Sequence, residues 1–93
     1  MAVVTFSVNF FGRVQGIGFR FLALRKANSL GLKGWVKNSF DFHCVETILQ
    51  GEKKTIDEFI SYFKENPYIV RVDNVVVEEI FNSEKFKDFQ VKY

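Results

Sequence analysis

The chain has 93 residues, with 13 basic and 11 acidic side chains and a formal net charge of +2, too small a bias to argue for nucleic acid or an acidic membrane surface as partner. Its hydrophobic content of 47% and aromatic content of 17%, much of it from twelve Phe, supply enough apolar volume for a single domain over residues 1–93 without disulfides or a structural metal. Cys44 has no second cysteine to bridge, one thiol beside one histidine falls short of any zinc pattern, and no apolar run approaches the ~20 residues needed to cross a bilayer.

The opening MAVVTFSVNFFG is too polar for a signal peptide, so the expected setting is a reducing cytoplasm. Val4, Phe6, Val8 and Phe10 alternate with Thr5, Ser7 and Asn9, the period-two signature of a half-buried strand. Gly12, Gly16 and Gly18 then break the pattern. From Phe19 the period lengthens: Phe19, Leu22, Ala23, Ala27 and Leu30 form one helical stripe, closed by Gly31 at the expected C′ position.

Gly34 to Asn38 reads as a second strand, Ser39 to His43 as a turn, and Cys44 to Gln50 as a third strand. Thr55 followed by Glu58 is a capping-box signal for a second helix with its stripe at Ile56, Phe59, Ile60 and Phe63, and Pro67 keeps that helix from continuing. Val70 to Ile80 reads as a long fourth strand, and Phe89, Val91 and Tyr93 as a short fifth. The order β-α-β-β-α-β with a small extra strand predicts an α+β, ferredoxin-like split βαβ sandwich: an antiparallel or mixed sheet with both helices on one face. Such a fold leaves function open, because unrelated activities share it.

The segment Gly12-Arg13-Val14-Gln15-Gly16-Ile17-Gly18-Phe19-Arg20 joins the first strand to the first helix. Helix N-termini present unpaired N–H groups and a partial positive charge, glycines let a backbone curl around an anion, and an arginine in the first turn can add a two-point fork. By spacing alone, a tight turn and a phosphate cradle are both open. The segment is no nucleotide P-loop, since no Gly-Lys-Ser/Thr follows, and it differs in spacing from the dinucleotide fingerprint.

Gly12-Arg-Val-Gln-Gly-Ile-Gly-Phe-Arg20 resembles the signature of the acylphosphatases, and Gly34-Trp35-Val36-Lys37-Asn38 resembles their second signature at about the expected distance. The closing Phe-Gln-Val-Lys-Tyr93 is similar to the family's C-terminus. The resemblance implies hydrolysis of the carboxyl-phosphate anhydride of a small acyl phosphate, and because the chain offers no plausible ligand cluster, neither metal nor cofactor is expected. Inorganic phosphate would then be product and inhibitor. It implies phosphate binding by Gln15, Gly16, Ile17, Gly18, Phe19 and Arg20, with Arg20 gripping the phosphoryl group and Asn38 positioning the attacking water. One departure stands out: where the family usually has Asp-Gly in the hairpin, this chain has Asp41-Phe42-His43, one residue longer.

Other candidates read as structural. Arg13 is expected in solvent or at the site's edge, His43 exposed beside the hairpin, and Cys44 a half-buried strand residue rather than a nucleophile. An RNA-recognition reading is poorly supplied, because Cys44-Val-Glu-Thr-Ile-Leu-Gln50 offers no aromatic for stacking. A metal chaperone of this topology would carry paired cysteines after the first strand. The alternative of a different class is a phosphate-binding regulatory module of the same fold without turnover. A monomer is the default expectation.

Overall fold

The computed structural model describes residues 2–14, 17–39, 44–66 and 71–93, with the side chain of Ile17 excepted. The elements follow in the order β1 (Val4–Arg13), α1 (Ile17–Leu30), β2 (Lys33–Asn38), β3 (Cys44–Gly51), α2 (Lys53–Lys64), β4 (Arg71–Glu79) and β5 (Phe89–Lys92). The five strands form one sheet in the order β4-β1-β3-β2-β5. β1 runs antiparallel to β3 and β4, β2 antiparallel to β3, and β5 parallel to β2, so the sheet is mixed. Each helix thus crosses over one intervening strand, the split βαβ arrangement that the element order predicts.

Strand alternation sets the two faces. Phe6, Val8 and Phe10 of β1 lie opposite Leu49, Thr47 and Val45 of β3, and all six are buried. Thr47 is the one polar member, and its Oγ1 donates to the Val8 carbonyl at 2.8 Å, which removes the cost of its burial. The helices cover this face: α1 brings Phe19, Ala23 and Ala27, and α2 brings Ile56, Phe59 and Phe63. Phe10 is the hub, with ring centroids 5.4 Å from Phe19, 6.3 Å from Phe59 and 5.9 Å from Phe63. Each such ring contributes roughly 1.5–3 kcal/mol by burial. The opposite face carries Ser7, Asn9, Glu46, Trp35 and Lys37, with the Lys92 ammonium 4.8 Å from the Trp35 ring centroid.

α1 ends as its sequence predicts. Gly31 has φ +72°, the Leu32 N–H donates to the Ala27 carbonyl at 2.9 Å and the Gly31 N–H to Asn28 at 3.2 Å, the paired bonds of a Schellman cap. Three boundaries differ from expectation by more than one residue. β1 continues through Gly12, which sits at a register shift in the β1–β4 pairing with φ +133° and so bends the strand instead of ending it. α1 begins at Ile17, two residues before its stripe, so Gly18 belongs to the first helical turn. The capping box is overturned: α2 starts at Lys53 with Glu52 as N-cap, and Thr55 lies inside the helix. The Ile56 N–H donates to the Glu52 carbonyl at 3.0 Å, and burial of Ile56, Phe59 and Phe63 sets the start where local capping chemistry does not. Pro67 and Val70 lie outside the described residues.

Candidate active site

The topology brings one set of strand ends together. Arg13, the last residue of β1, lies opposite Arg71, the first of β4, and Phe11 lies opposite Cys44, the first of β3. Asn38 closes β2 opposite Val45. Because β5 is parallel to β2, Lys92 and Tyr93 leave the sheet at this same end. α1 starts here too, since it follows β1. Its first turn holds no acidic residue, so nothing in that turn neutralises the partial positive charge of the helix N-terminus.

Arg20 occupies the first turn of α1, immediately after the buried Phe19. The Phe19 ring lies 4.8 Å from Phe63 and 5.4 Å from Phe10, so the position of Arg20 is inherited from the aromatic core. Its guanidinium lies over the Tyr93 ring, 4.7 Å from the centroid. Asn38 is two residues beyond the buried Val36 and therefore projects from the face of the sheet that the helices cover. Helix layer and sheet layer thus deliver one residue each to the same end of the same face.

Arg20 Nε and Asn38 Oδ1 are both buried, and neither has a hydrogen-bond partner among the described residues. A buried polar atom left unpaired costs about 1–3 kcal/mol, more when charged, and native structures carry few of them. The pair is complementary in kind. An N–H of a guanidinium requires an acceptor, and an amide oxygen requires a donor.

A cavity of about 580 Å³ lies at the opposite end of the sheet, lined among others by Val3, Thr5, Gln50, Ile80 and Phe86. Its buried polar groups satisfy one another: Gln50 donates to Thr5 Oγ1 at 3.0 Å and to the Glu84 carbonyl at 2.8 Å, and accepts from the Phe86 N–H at 3.0 Å. It contains neither Arg20 nor Asn38, and its volume alone gives it no chemistry.

Of the predicted phosphate loop, Gln15 and Gly16 lie outside the described residues, as does the Ile17 side chain. Gly18 is exposed in the first helical turn. Of the three glycines expected to curl the loop, Gly12 instead belongs to β1 and Gly18 to α1. Arg13 is exposed, as expected at the rim. Cys44 is more buried than the half-buried position predicted for it. Asp41, Phe42 and His43 of the lengthened hairpin lie outside the described residues. At its base the Ser39 N–H donates to the Cys44 carbonyl at 2.9 Å, and the Cys44 N–H donates to Ser39 Oγ at 3.1 Å. No group of three His, Cys, Asp or Glu suited to a metal ion occurs among the described residues.

The sequence reading missed the parts played by Tyr93 and Gly34. Gly34 has φ +130°, and a Cβ there would overlap the Ile48 carbonyl on β3. It is the close approach that sets the spacing of β2, and hence of Asn38, against its neighbour. A glycine inside an otherwise strand-like run is the available signal for such an approach.

A profile of the Acylphosphatase family matches residues 6–91. The acylphosphatase of Thermoplasma volcanium is 45% identical over 92 residues, covering 97% of this chain and 98% of that protein. That of Paraburkholderia xenovorans is 38% identical over 88 residues, covering 95% and 90%. The crystal structure of acylphosphatase from Bacillus subtilis matches with a TM-score of 0.86 at 31% identity, over 97% of this chain and 99% of that one. Full-length HypF in its phosphate- and nucleotide-bound form matches with a TM-score of 0.88 at 33% identity, over 99% of this chain and 12% of its own length.

Proposed function

The chain belongs to the acylphosphatase family and carries its hydrolase activity, and from that premise we propose that Arg20 and Asn38 perform the hydrolysis of an acyl phosphate by direct attack of water. The observation that carries this reading is the pair of buried, unpartnered atoms at one end of one face, Arg20 Nε and Asn38 Oδ1. A phosphate oxygen accepts from the first, and a water donates to the second, so substrate and nucleophile together supply the two missing bonds.

Phosphoryl transfer passes through a loose transition state, and catalysis is mainly positioning and charge stabilisation. The guanidinium fork and the N–H groups at the start of α1 hold the equatorial oxygens. Gln15, Gly16, Ile17, Gly18 and Phe19 contribute the loop amides. Asn38 cannot take a proton, but its amide orients the water. The water oxygen bonds to phosphorus, the bond from phosphorus to the acyl oxygen breaks, and the electron pair leaves with the carboxylate. The water's proton passes to a phosphate oxygen, and inorganic phosphate and a carboxylate separate. A carboxylate departs without protonation, so the site requires no general acid.

In this reading the enzyme is independent of metal, works as a monomer in the cytoplasm, and is inhibited by inorganic phosphate. The test is hydrolysis of acetyl phosphate before and after exhaustive treatment with chelator. Turnover that survives chelation supports the reading. Binding of inorganic phosphate without turnover would instead favour a regulatory module of the same fold. Restoration of a lost activity by Mg²⁺ or Zn²⁺ would refute metal independence.

A further inference from the structure

The cavity of about 580 Å³ at the far end of the sheet has the size of a small-molecule site, for which roughly 300–1,000 Å³ is usual. Val3, Val4, Ile80, Phe81 and Phe86 give it apolar walls. Phe81 is 75% exposed and Val3 69% exposed, so part of that wall stands in water, and covering it with an apolar group is favourable. The chain turns directly after Phe81 at Asn82, the one non-glycine residue with positive φ among the described residues. The polar floor asks nothing of a ligand. The Gln50 amide nitrogen donates to Thr5 Oγ1, to Ser83 Oγ and to the Glu84 carbonyl, and its oxygen accepts from the Phe86 N–H, so both polar atoms are used within the fold.

The charged side chains on the lining are Lys33, Lys85 and Glu79. The Lys33 ammonium donates to the Lys87 carbonyl at 3.1 Å, a neutral acceptor that leaves its charge uncompensated. Lys85 and Glu79 have no ion pair among the described residues, where the salt bridges join Lys53 to Asp57 and Arg71 to Asp73. α1 ends at Gly31 on the same lining, and the Ala27 and Asn28 carbonyls at that negative helix end already accept from Leu32 and Gly31. Two cations thus stand against one carboxylate. We propose that this cavity binds a small amphipathic carboxylate, its apolar chain against Val3, Phe81 and Phe86 and its anionic head held by Lys33 and Lys85. One negative charge balances the excess on the lining, whereas a neutral alcohol of the same length leaves it uncompensated. The lysine stems add apolar surface below their ammonium groups, which suits a ligand of the same build. The site shares no residue with Arg20, Asn38 or the start of α1, and the inference is independent of the roles proposed for them.

The experiment follows the backbone amide NMR signals of the full chain during titration with octanoate, with and without saturating inorganic phosphate. The expected result is a Kd of about 0.1–1 mM, within reach of a ligand of this size, with shifts at Thr5, Gln50, Phe81 and Phe86 that phosphate leaves unchanged. Octanol is expected to bind at least about fivefold more weakly, the upper end of what an exposed ion pair contributes. Phe81→Ser and Lys85→Glu change exposed side chains, so the fold should tolerate both. Each is expected to raise the Kd for octanoate by about five- to tenfold. Equal affinity for octanol and octanoate, or unchanged affinity in both variants, would overturn the proposal. Shifts confined to the surroundings of Arg20 and abolished by phosphate would place the carboxylate at the hydrolytic site and overturn it equally. So would the absence of any shift at the cavity.

Discussion

The Arg20 guanidinium lies over the ring of Tyr93, 4.7 Å from its centroid, so a residue just beyond β5 supports the side chain proposed to hold the phosphate. Tyr93→Ala is expected to lower kcat/KM for acetyl phosphate by about two- to fivefold, the size of a cation–π contact of ~0.5–1 kcal/mol at an exposed site. Tyr93→Phe keeps the ring and should lose little. Equal losses in the two variants would show that the phenol hydroxyl, and not the ring face, matters.

Arg20→Lys is expected to be nearly as inactive as Arg20→Ala, with thermal stability close to the parent in both. Lysine retains the charge but replaces a planar, two-point donor by a single mobile ammonium, and it has no counterpart to the buried Nε. The measurement is acetyl phosphate turnover alongside the unfolding midpoint. Turnover by Arg20→Lys within a few-fold of the parent would refute a bidentate grip.

Asn38→Ala is expected to preserve inhibition by inorganic phosphate while kcat falls by roughly 10²–10³, as when one preorganised catalytic hydrogen-bonding group is removed. The separation follows from placement. Arg20 belongs to the helix layer with the N–H groups proposed to bind the anion, whereas Asn38 stands on β2 with an amide oxygen that has no donor among the described residues. Kinetics of the variant with phosphate as competitor give both quantities. Loss of phosphate affinity with kcat retained would transfer Asn38 to the anion site and leave the water without an orienting group.

Sequence patterns that report local periodicity were the legible ones. Alternation from Val4 to Phe10, the stripe from Phe19 to Leu30 and the C′ glycine at 31 each specify one element, and each is present. The start of α2 is misread because Thr55 and Glu58 fit a capping box locally, while the burial of Ile56, Phe59 and Phe63 goes with a helix that starts three residues earlier. Gly12 looked like a strand breaker because a single sequence cannot show the partner strand around which it bulges. Arg20 and Asn38 were named from motif resemblance, but their shared face follows only from the sheet order, and Tyr93 meets Arg20 across almost the whole chain. Contacts between distant residues leave no periodic trace.

The final prediction concerns Gly34, which sets the close approach of β2, the strand that bears Asn38, to β3. At φ +130° an L side chain is strained, and a Cβ would meet the backbone carbonyl of Ile48, which has no flexible end to swing aside. The same residue ties β2 to the approach to β5, since its N–H donates to the Asp88 carbonyl at 2.9 Å. Gly34→Ala must therefore either shift β2 away from β3 or twist its own backbone, and either motion is carried four residues along the strand to Asn38. The expected outcome is a loss of more than about 1 kcal/mol in stability, the lower bound for a substitution incompatible with the native backbone. A fall in kcat should accompany it, larger than the fall in phosphate affinity, because Asn38 is displaced more than α1. Urea unfolding and kinetics with phosphate as competitor check both parts. An unchanged midpoint would show that β2 absorbs the methyl group. A loss of phosphate affinity equal to the loss in kcat would show that the disturbance reaches the helix layer, and that β2 and the start of α1 move as one body.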